Sequence, residues 1–258
     1  MLYLQSLSGW IMNEKTFNKV FNAFLLTGMI ICVTVACILN LQKPDARVAL
    51  TILSAVGAIM GVISVVLSAN GNILTFVFGL VDVLIYSYTL LDQNVPMTLG
   101  LHVFYFLPME FIGFYQWRRR GATAKQAVKA RRLPARGWLN VAVLFAAVYA
   151  AVLAIAWLIA RYQGDIVWAK MAFDSAVTTA NIVALVLMTM AYLDQWYLWT
   201  LVNITSIILW IIVLGSGEGS SYTVVQLIKY SFYLLNGINA IRIWLKLSQK
   251  EPVLEESK

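Results

Sequence analysis

Eight stretches of the chain, each about 20 residues long and almost free of charge, decide what it can fold into. They run over residues 20–42, 48–69, 73–91, 96–117, 138–160, 171–191, 196–215 and 222–242. A helix rises about 1.5 Å per residue, so each run reaches across a hydrocarbon layer roughly 30 Å thick. Lipid offers no water to backbone N–H and C=O groups, so the runs are expected to be helices. Composition leaves little alternative: 61 % of residues are hydrophobic and 12 % charged, whereas a soluble globule carries about twice that share of charge. A soluble enzyme and a free DNA-binding domain are excluded. The first run is too long for the apolar core of a signal peptide, and no small-residue cleavage site follows it, so it is read as a spanning helix.

Basic residues set the expected orientation. The loop after the fourth run carries Arg118, Arg119, Arg120, Lys125, Lys129, Arg131, Arg132 and Arg136 and no acid. That loop is expected in the cytoplasm, and counting outward puts both termini there too. Lys15 and Lys19, and Arg242, Lys246 and Lys250, agree; Lys43 and Arg47 are a mild exception. The net charge of +7 is explained by this bias without nucleic acid as a partner. Cys32 and Cys37 lie in one apolar run, five residues apart, where helical neighbours do not face each other, and are read as reduced. A single histidine excludes a His-rich metal site. No GxxxxGK[ST], HExxH or GxSxG occurs, so neither ATP-driven pumping nor hydrolysis by those motifs is expected. No cofactor is expected.

Residues 48–120 and 171–246 each hold three runs. Trp117-Arg118 matches Trp244-Leu245-Lys246 at an offset of 127, which pairs His102 with Lys229 and Phe106 with Tyr233. The second helices align at 124, pairing Gly79 with Asn203 and Tyr86 with Trp210; Ser54-Ala55-Val56 meets Ser175-Ala176-Val177 at 121. One run between the triplets inverts the chain, so both enter the membrane from the same side. The expected fold is an all-α membrane protein of eight transmembrane helices: two parallel three-helix repeats joined by a linking helix, plus an extra N-terminal helix. The divisions are 1–46, 47–120 (first repeat), 121–170 (basic loop and linking helix), 171–246 (second repeat) and 247–258 (tail). Parallel repeats are a transporter architecture, with substrate near the midplane between them.

Ionisable residues within a span are costly and mark candidate sites. Asp82, His102, Glu110, Asp174 and Lys229 qualify. Asp174 sits near the outer end, where a solvated interfacial acid explains it equally well. His102 could bridge helices, and Lys229 could snorkel. The seventh run repeats Trp196, Trp199, Asn203, Ser206 and Trp210 at three- and four-residue spacing, one helical face. Trp196 also suits an aromatic belt at the membrane border, and Asn203 is either interhelical glue or a substrate ligand. Asp174, Thr178 and Asn181 share a face of the sixth run. In the eighth, Gln226, Tyr230, Tyr233 and Gly237 form a stripe with Asn236 and Asn239 beside it. The first triplet contributes Tyr105, Phe106 and Met109. Amides and aromatic faces together suit a small, flat, neutral or monocationic molecule bearing hydroxyls. No Arg lies in the interior of a run, Arg242 standing at the last position of the eighth, which argues against a phosphorylated substrate.

The three-plus-one-plus-three plan, Trp196-x-x-Trp199-x-x-x-Asn203, Asp174-Ser175 and Asn239-x-x-Arg242-x-Trp244 resemble the PnuC family of bacterial vitamin transporters over about residues 48–246. The resemblance implies a doubled, SWEET-like bundle in the inner membrane, assembled as a homotrimer and not an enzyme. It implies nicotinamide riboside as substrate, moved by facilitated diffusion and trapped by phosphorylation in the cytosol. Other members carry riboflavin or thiamine. The residues expected to bind are Trp196, Trp199, Asn203, Gln226, Tyr233, Asn236 and Asn239, with Trp196 as an inner gate. Asp174, Thr178, Asn181, Tyr105, Phe106, Glu110 and Lys229 are expected to gate or support. The first helix and Glu110 depart from the family pattern. Three other readings compete: proton symport through Glu110 and Asp82; a retinal photoreceptor on Lys229, against which Val225 stands where an acid is needed; and a membrane enzyme using Glu110 and His102, about 12 Å apart on one helix.

Overall fold

The structure is a computed structural model that describes residues 13–44, 46–92, 96–164, 168–216 and 221–249. Among these residues the chain forms eight helices, one for each apolar run. They are α1 (Glu14–Leu41), α2 (Val48–Ala69), α3 (Thr75–Asp92), α4 (in three pieces from Pro96 to Arg119), α5 (Ala135–Gln163), α6 (Trp168–Thr189), α7 (Gln195–Gly215) and α8 (Ser221–Ser248). By length and hydropathy alone, five of them meet the requirement for crossing a membrane: α1, α2, α5, α6 and α7.

Helix α4 is not the uninterrupted α-helix that hydropathy implies. It runs as Pro96–Leu101, a π-helical turn His102–Phe106, and Leu107–Arg119. Pro108 stands at the start of the last piece. It has no N–H to give to the carbonyl four residues back, and its ring crowds that carbonyl. The ladder therefore widens by one residue, and Leu107 N–H bonds to His102 O. The widened turn is lined by rings, His102 lying 4.8 Å from both Tyr86 and Phe106.

Packing is tightest at the end that carries the basic segment. Trp117, Trp196, Trp244 and Phe76 form one buried cluster with Ala69, Leu193 and Val128. Trp117 Nε1 donates to Met188 O at 2.8 Å, and Trp244 Nε1 donates to Ser68 O at 3.1 Å. Each indole thus closes onto the end of a helix in the other triplet. Phe76 meets Trp117 edge-on at 4.9 Å, and Trp196 meets Trp244 at 6.2 Å. Trp196 is 4 % exposed, which places it inside this cluster and not in a lipid-facing belt.

Residues 121–134 strap the same end together. Val128 N–H donates to Gly71 O at 2.9 Å, in the α2–α3 connection. Arg131 N–H donates to Ala191 O and Leu193 N–H to Arg131 O, both at 2.8 Å, in the α6–α7 connection. Gly71 and Ala191 each take a left-handed backbone, φ +66° and +59°, which turns both connections tightly. The Arg131 guanidinium lies 4.3 Å over the Tyr192 ring. Asp194 Oδ2 accepts from Leu133 N–H at 2.8 Å. Burial holds the Asp194 carboxyl above the usual carboxylate range, against the opposing pull of that N–H and of Arg132.

Helix α1 is part of the packed body. Leu25 and Met29 are fully buried against Val62 and Val66 of α2, with Phe232 and Tyr233 of α8 alongside. At the basic end Glu14 pairs with Arg242 at 3.1 Å and with Lys246. These groups are partly solvated, so the pairs orient α1 more than they stabilise it. Helix α5 packs on α6 and otherwise presents Leu139, Val143, Ile155 and Leu158 outward, as a lipid-facing linker would. Both cysteines are free, as read from the sequence.

Candidate functional site

A cavity of about 320 Å³ lies between the triplets, just past the tryptophan cluster. Helix α2 lines it with Ser64, Val65 and Ser68, α3 with Thr75, and α4 with Glu110. The second triplet lines it with Asn181 and Met188 of α6, Trp196, Trp199, Asn203 and Ser206 of α7, and Tyr230, Tyr233 and Asn236 of α8. A second hollow of similar size, lined by Arg47, Val48, Leu50, Leu53 and Tyr88, lies at the opposite ends of α2 and α3. It draws on one triplet only and lacks convergent amides.

Several of the lining groups already have partners. Ser64 Oγ donates to Thr75 O at 2.8 Å, and Thr75 Oγ1 to Ser64 O at 2.9 Å, which ties α2 to α3. Ser206 Oγ donates back to Val202 O, and Asn181 Nδ2 to Val177 O, both at 2.8 Å. Ser68 Oγ reaches Met188 Sδ at 3.8 Å across the triplets. Tyr230 and Tyr233 stand nearly perpendicular, 6.1 Å apart.

Two groups are different. Asn236 is fully buried; its Nδ2 donates to Val65 O at 3.3 Å, but its Oδ1 has no partner among the described residues. Trp196 Nε1, also buried, has none either. Leaving a buried donor or acceptor unmade costs about 1–3 kcal/mol each. Both residues line the same cavity, and each holds one buried polar atom, an acceptor on Asn236 and a donor on Trp196, that the described residues leave unpaired.

Seven of the fourteen residues expected to bind, gate or support meet at this cavity: Trp196, Trp199, Asn203, Tyr233, Asn236, Asn181 and Glu110. The others lie elsewhere. Gln226 is buried ten residues before Asn236, about 15 Å along α8. Asn239 Oδ1 accepts from Arg242 at 2.9 and 3.1 Å, part of the cluster that holds α1. Asp174 is exposed and Thr178 half-buried. Tyr105 OH donates to Ile182 O at 2.6 Å, joining α4 to α6. Phe106 packs on His102 and Tyr105. Lys229 Nζ lies 4.9 Å over the Tyr230 ring, away from the cavity wall. Sequence reasoning passed over Ser64, Ser68, Thr75 and Met188. The signal available was Ser64 and Ser68 four apart on one face.

The chain matches the family model described as nicotinamide mononucleotide transporter over residues 51–246. It is 34 % identical over 203 residues to the nicotinamide riboside transporter PnuC of Neisseria mucosa, across 77 % of this chain and 73 % of that one. It is 26 % identical over 245 residues to the PnuC of Haemophilus influenzae, across 94 % of each. A match that broad takes in most of α1, so the helix read as a departure from the family has a counterpart in that relative. Among solved structures, the crystal structure of the vitamin B3 transporter PnuC superposes with a TM-score of 0.61 at 27 % identity, over 89 % of this chain and 93 % of that one. The model match, the relatives and the eight helices, five of them long and apolar enough to cross a membrane, agree: the chain belongs to the PnuC family and is a multi-pass helical membrane protein.

Proposed function

We propose that the chain carries nicotinamide riboside across the inner membrane by facilitated diffusion, with both termini in the cytoplasm. The observation that carries this reading is the cavity between the triplets, lined by Asn236 and Trp196, whose Oδ1 and Nε1 are buried and unpartnered among the described residues. The carboxamide of nicotinamide offers the matching N–H and C=O. Trp199 and Tyr233 offer aromatic faces to a cationic pyridinium, and Asn203, Asn181 and Ser206 supply polar groups for ribose hydroxyls. A volume of about 320 Å³ suits a ligand of nucleoside size. No Lys or Arg lines the cavity, so a mononucleotide's phosphate would find no partner. This favours the riboside over the mononucleotide of the family model's description.

The mechanism follows from two parallel repeats, 47–120 and 171–246, joined by 121–170. Three pairs of matched features support that division: Trp117 and Trp244 each donating across to the other triplet, Phe76 and Trp196 packing on them, and the left-handed Gly71 and Ala191. Through the connections the matched positions lie 120 apart, so the second helices correspond one turn away from the offset of 124. Alternating access is then one triplet rocking on the other around the cavity. The cavity is shut at the cytoplasmic end by the tryptophan cluster, with Trp196 as gate. Phosphorylation inside draws uptake forward, and the assembled form is a homotrimer. The retinal reading loses its footing because Lys229 is not on the cavity wall.

Calorimetry on the purified protein tests the substrate. Nicotinamide riboside is expected to bind, and nicotinamide mononucleotide, thiamine and riboflavin to fail. Trp199→Ala and Asn203→Ala are each expected to weaken binding tenfold or more, about 1.4 kcal/mol. Binding of another vitamin in place of the riboside would overturn the substrate while leaving the transport mechanism intact.

A further inference from the structure

Glu110 is the only carboxylate, and the only Asp, Glu, Lys, Arg or His, among the residues that line the cavity. It is carried there by α4 just after the π-helical turn and settles on α3 at Gly79, where an added Cβ would lie 2.7 Å from its Oε2. Among the described residues no Lys, Arg or His forms an ion pair with it. Asp82, the other deep acid, has its carboxylate on Gly61 of α2, where a Cβ would lie 2.5 Å from Oδ2. It is not on the cavity wall and adds charge of the same sign behind it. A half-buried acid within a span is costly without a cation, and the cavity has only aromatic faces and neutral dipoles to set against it.

Resting on the nicotinamide riboside reading, we infer that Glu110 is the specificity-determining residue that selects a cationic ring over a neutral ring of the same shape. Aromatic faces alone discriminate weakly, because a benzene ring also stacks on them. The carboxyl acts only on the charge: a positive ring bound beside it favours its ionised form and gains an attraction that a neutral isostere does not, and between packed helices that attraction is screened less than in bulk water. Amides fix the carboxamide and sugar; Glu110 reads the pyridinium.

The test compares nicotinamide riboside with its uncharged isostere, the benzamide C-riboside, in which the ring nitrogen is carbon. Dissociation constants are measured for the full chain in detergent. The wild type is expected to prefer the riboside by about tenfold or more. In Glu110→Gln the preference should fall to within about twofold of unity, and in Glu110→Asp part of it should remain. A wild type that binds both ligands equally would overturn the inference and leave the riboside reading standing. So would a Glu110→Gln protein that keeps the full preference. A wild type that binds neither ligand but takes up another vitamin would overturn the substrate reading and this inference with it. Where the Gln variant fails to fold, Glu110→Asp decides: a preference reduced below the wild-type ratio supports the inference, and one kept in full overturns it.

Discussion

At Gly79 one added methyl group would meet the Glu110 carboxylate at 2.7 Å. The carboxylate is the free end of a flexible side chain, so the clash is relieved by moving it. Gly79→Ala is therefore expected to cost no more than about 1 kcal/mol of stability while reducing riboside binding several-fold, a split visible by comparing melting temperature with calorimetry. Asn236 presents the reverse case. Its Oδ1 is buried without a partner, so replacement by Leu removes an unmet polar atom together with one bond to Val65 O. Asn236→Leu should melt within a few degrees of the wild type and bind the riboside at least tenfold more weakly, because stability and function use different atoms of the same amide. The sequence flagged Asn236 as one amide in a polar helix; it held no sign that one end was spoken for and the other open.

Among the elements, the strap at 121–134 carries most consequence. Asp194 Oδ2 holds Leu133 N–H at 2.8 Å and Asp194 is 4 % exposed, so Asp194→Ala leaves that donor without its partner and should loosen the strap by about 1–3 kcal/mol. Trypsin cutting at Arg131 and Arg132 is the readout, and it should quicken in the variant. Because burial raises the folded-state value of this carboxyl above its unfolded one, its contribution is greatest at low pH and declines as pH rises through the raised value. At neutral pH Asp194→Asn, which keeps an acceptor and drops the charge, should thus resist trypsin at least as well as the wild type. Helix α4 offers a packing test: a methyl at Gly113 would fall 2.1 Å from the Phe76 ring, so Gly113→Ala should cost about 1–3 kcal/mol. All eight helices were legible as apolar runs, since hydropathy over about 20 residues is a direct physical requirement of lipid. The π-helical turn was not read, although Pro108 was in view, because whether a proline kinks, breaks or widens a helix depends on what packs around it.

For the molecule as a whole, the proposed facilitated diffusion predicts that proteoliposomes equilibrate the riboside irrespective of an imposed proton gradient, and accumulate it only when a riboside kinase and ATP are enclosed. Uptake that follows the proton gradient would turn the reading to symport through Glu110 and Asp82. The aromatic and amide face Trp196, Trp199, Asn203, Ser206 was legible because 3.6-residue periodicity is local, and the structure brings all four to one cavity. On α8 the same reasoning grouped Gln226 with Tyr230 and Tyr233, yet the cavity takes Tyr230, Tyr233 and Asn236 and leaves Gln226 aside. Asn239, a plausible ligand by type, turns to Arg242. Sequence alone determined the number of helices and the chemical character of each face, since these depend on residues within one turn or one span of each other. Only the tertiary structure decided which faces meet, and that Ser64, Ser68, Thr75 and Glu110 join the second triplet's amides around one cavity. Those depend on the rotation of each helix against its neighbours, which is set by long-range contacts such as Trp117 to Met188 and Trp244 to Ser68, and periodicity within a single helix carries no information about them.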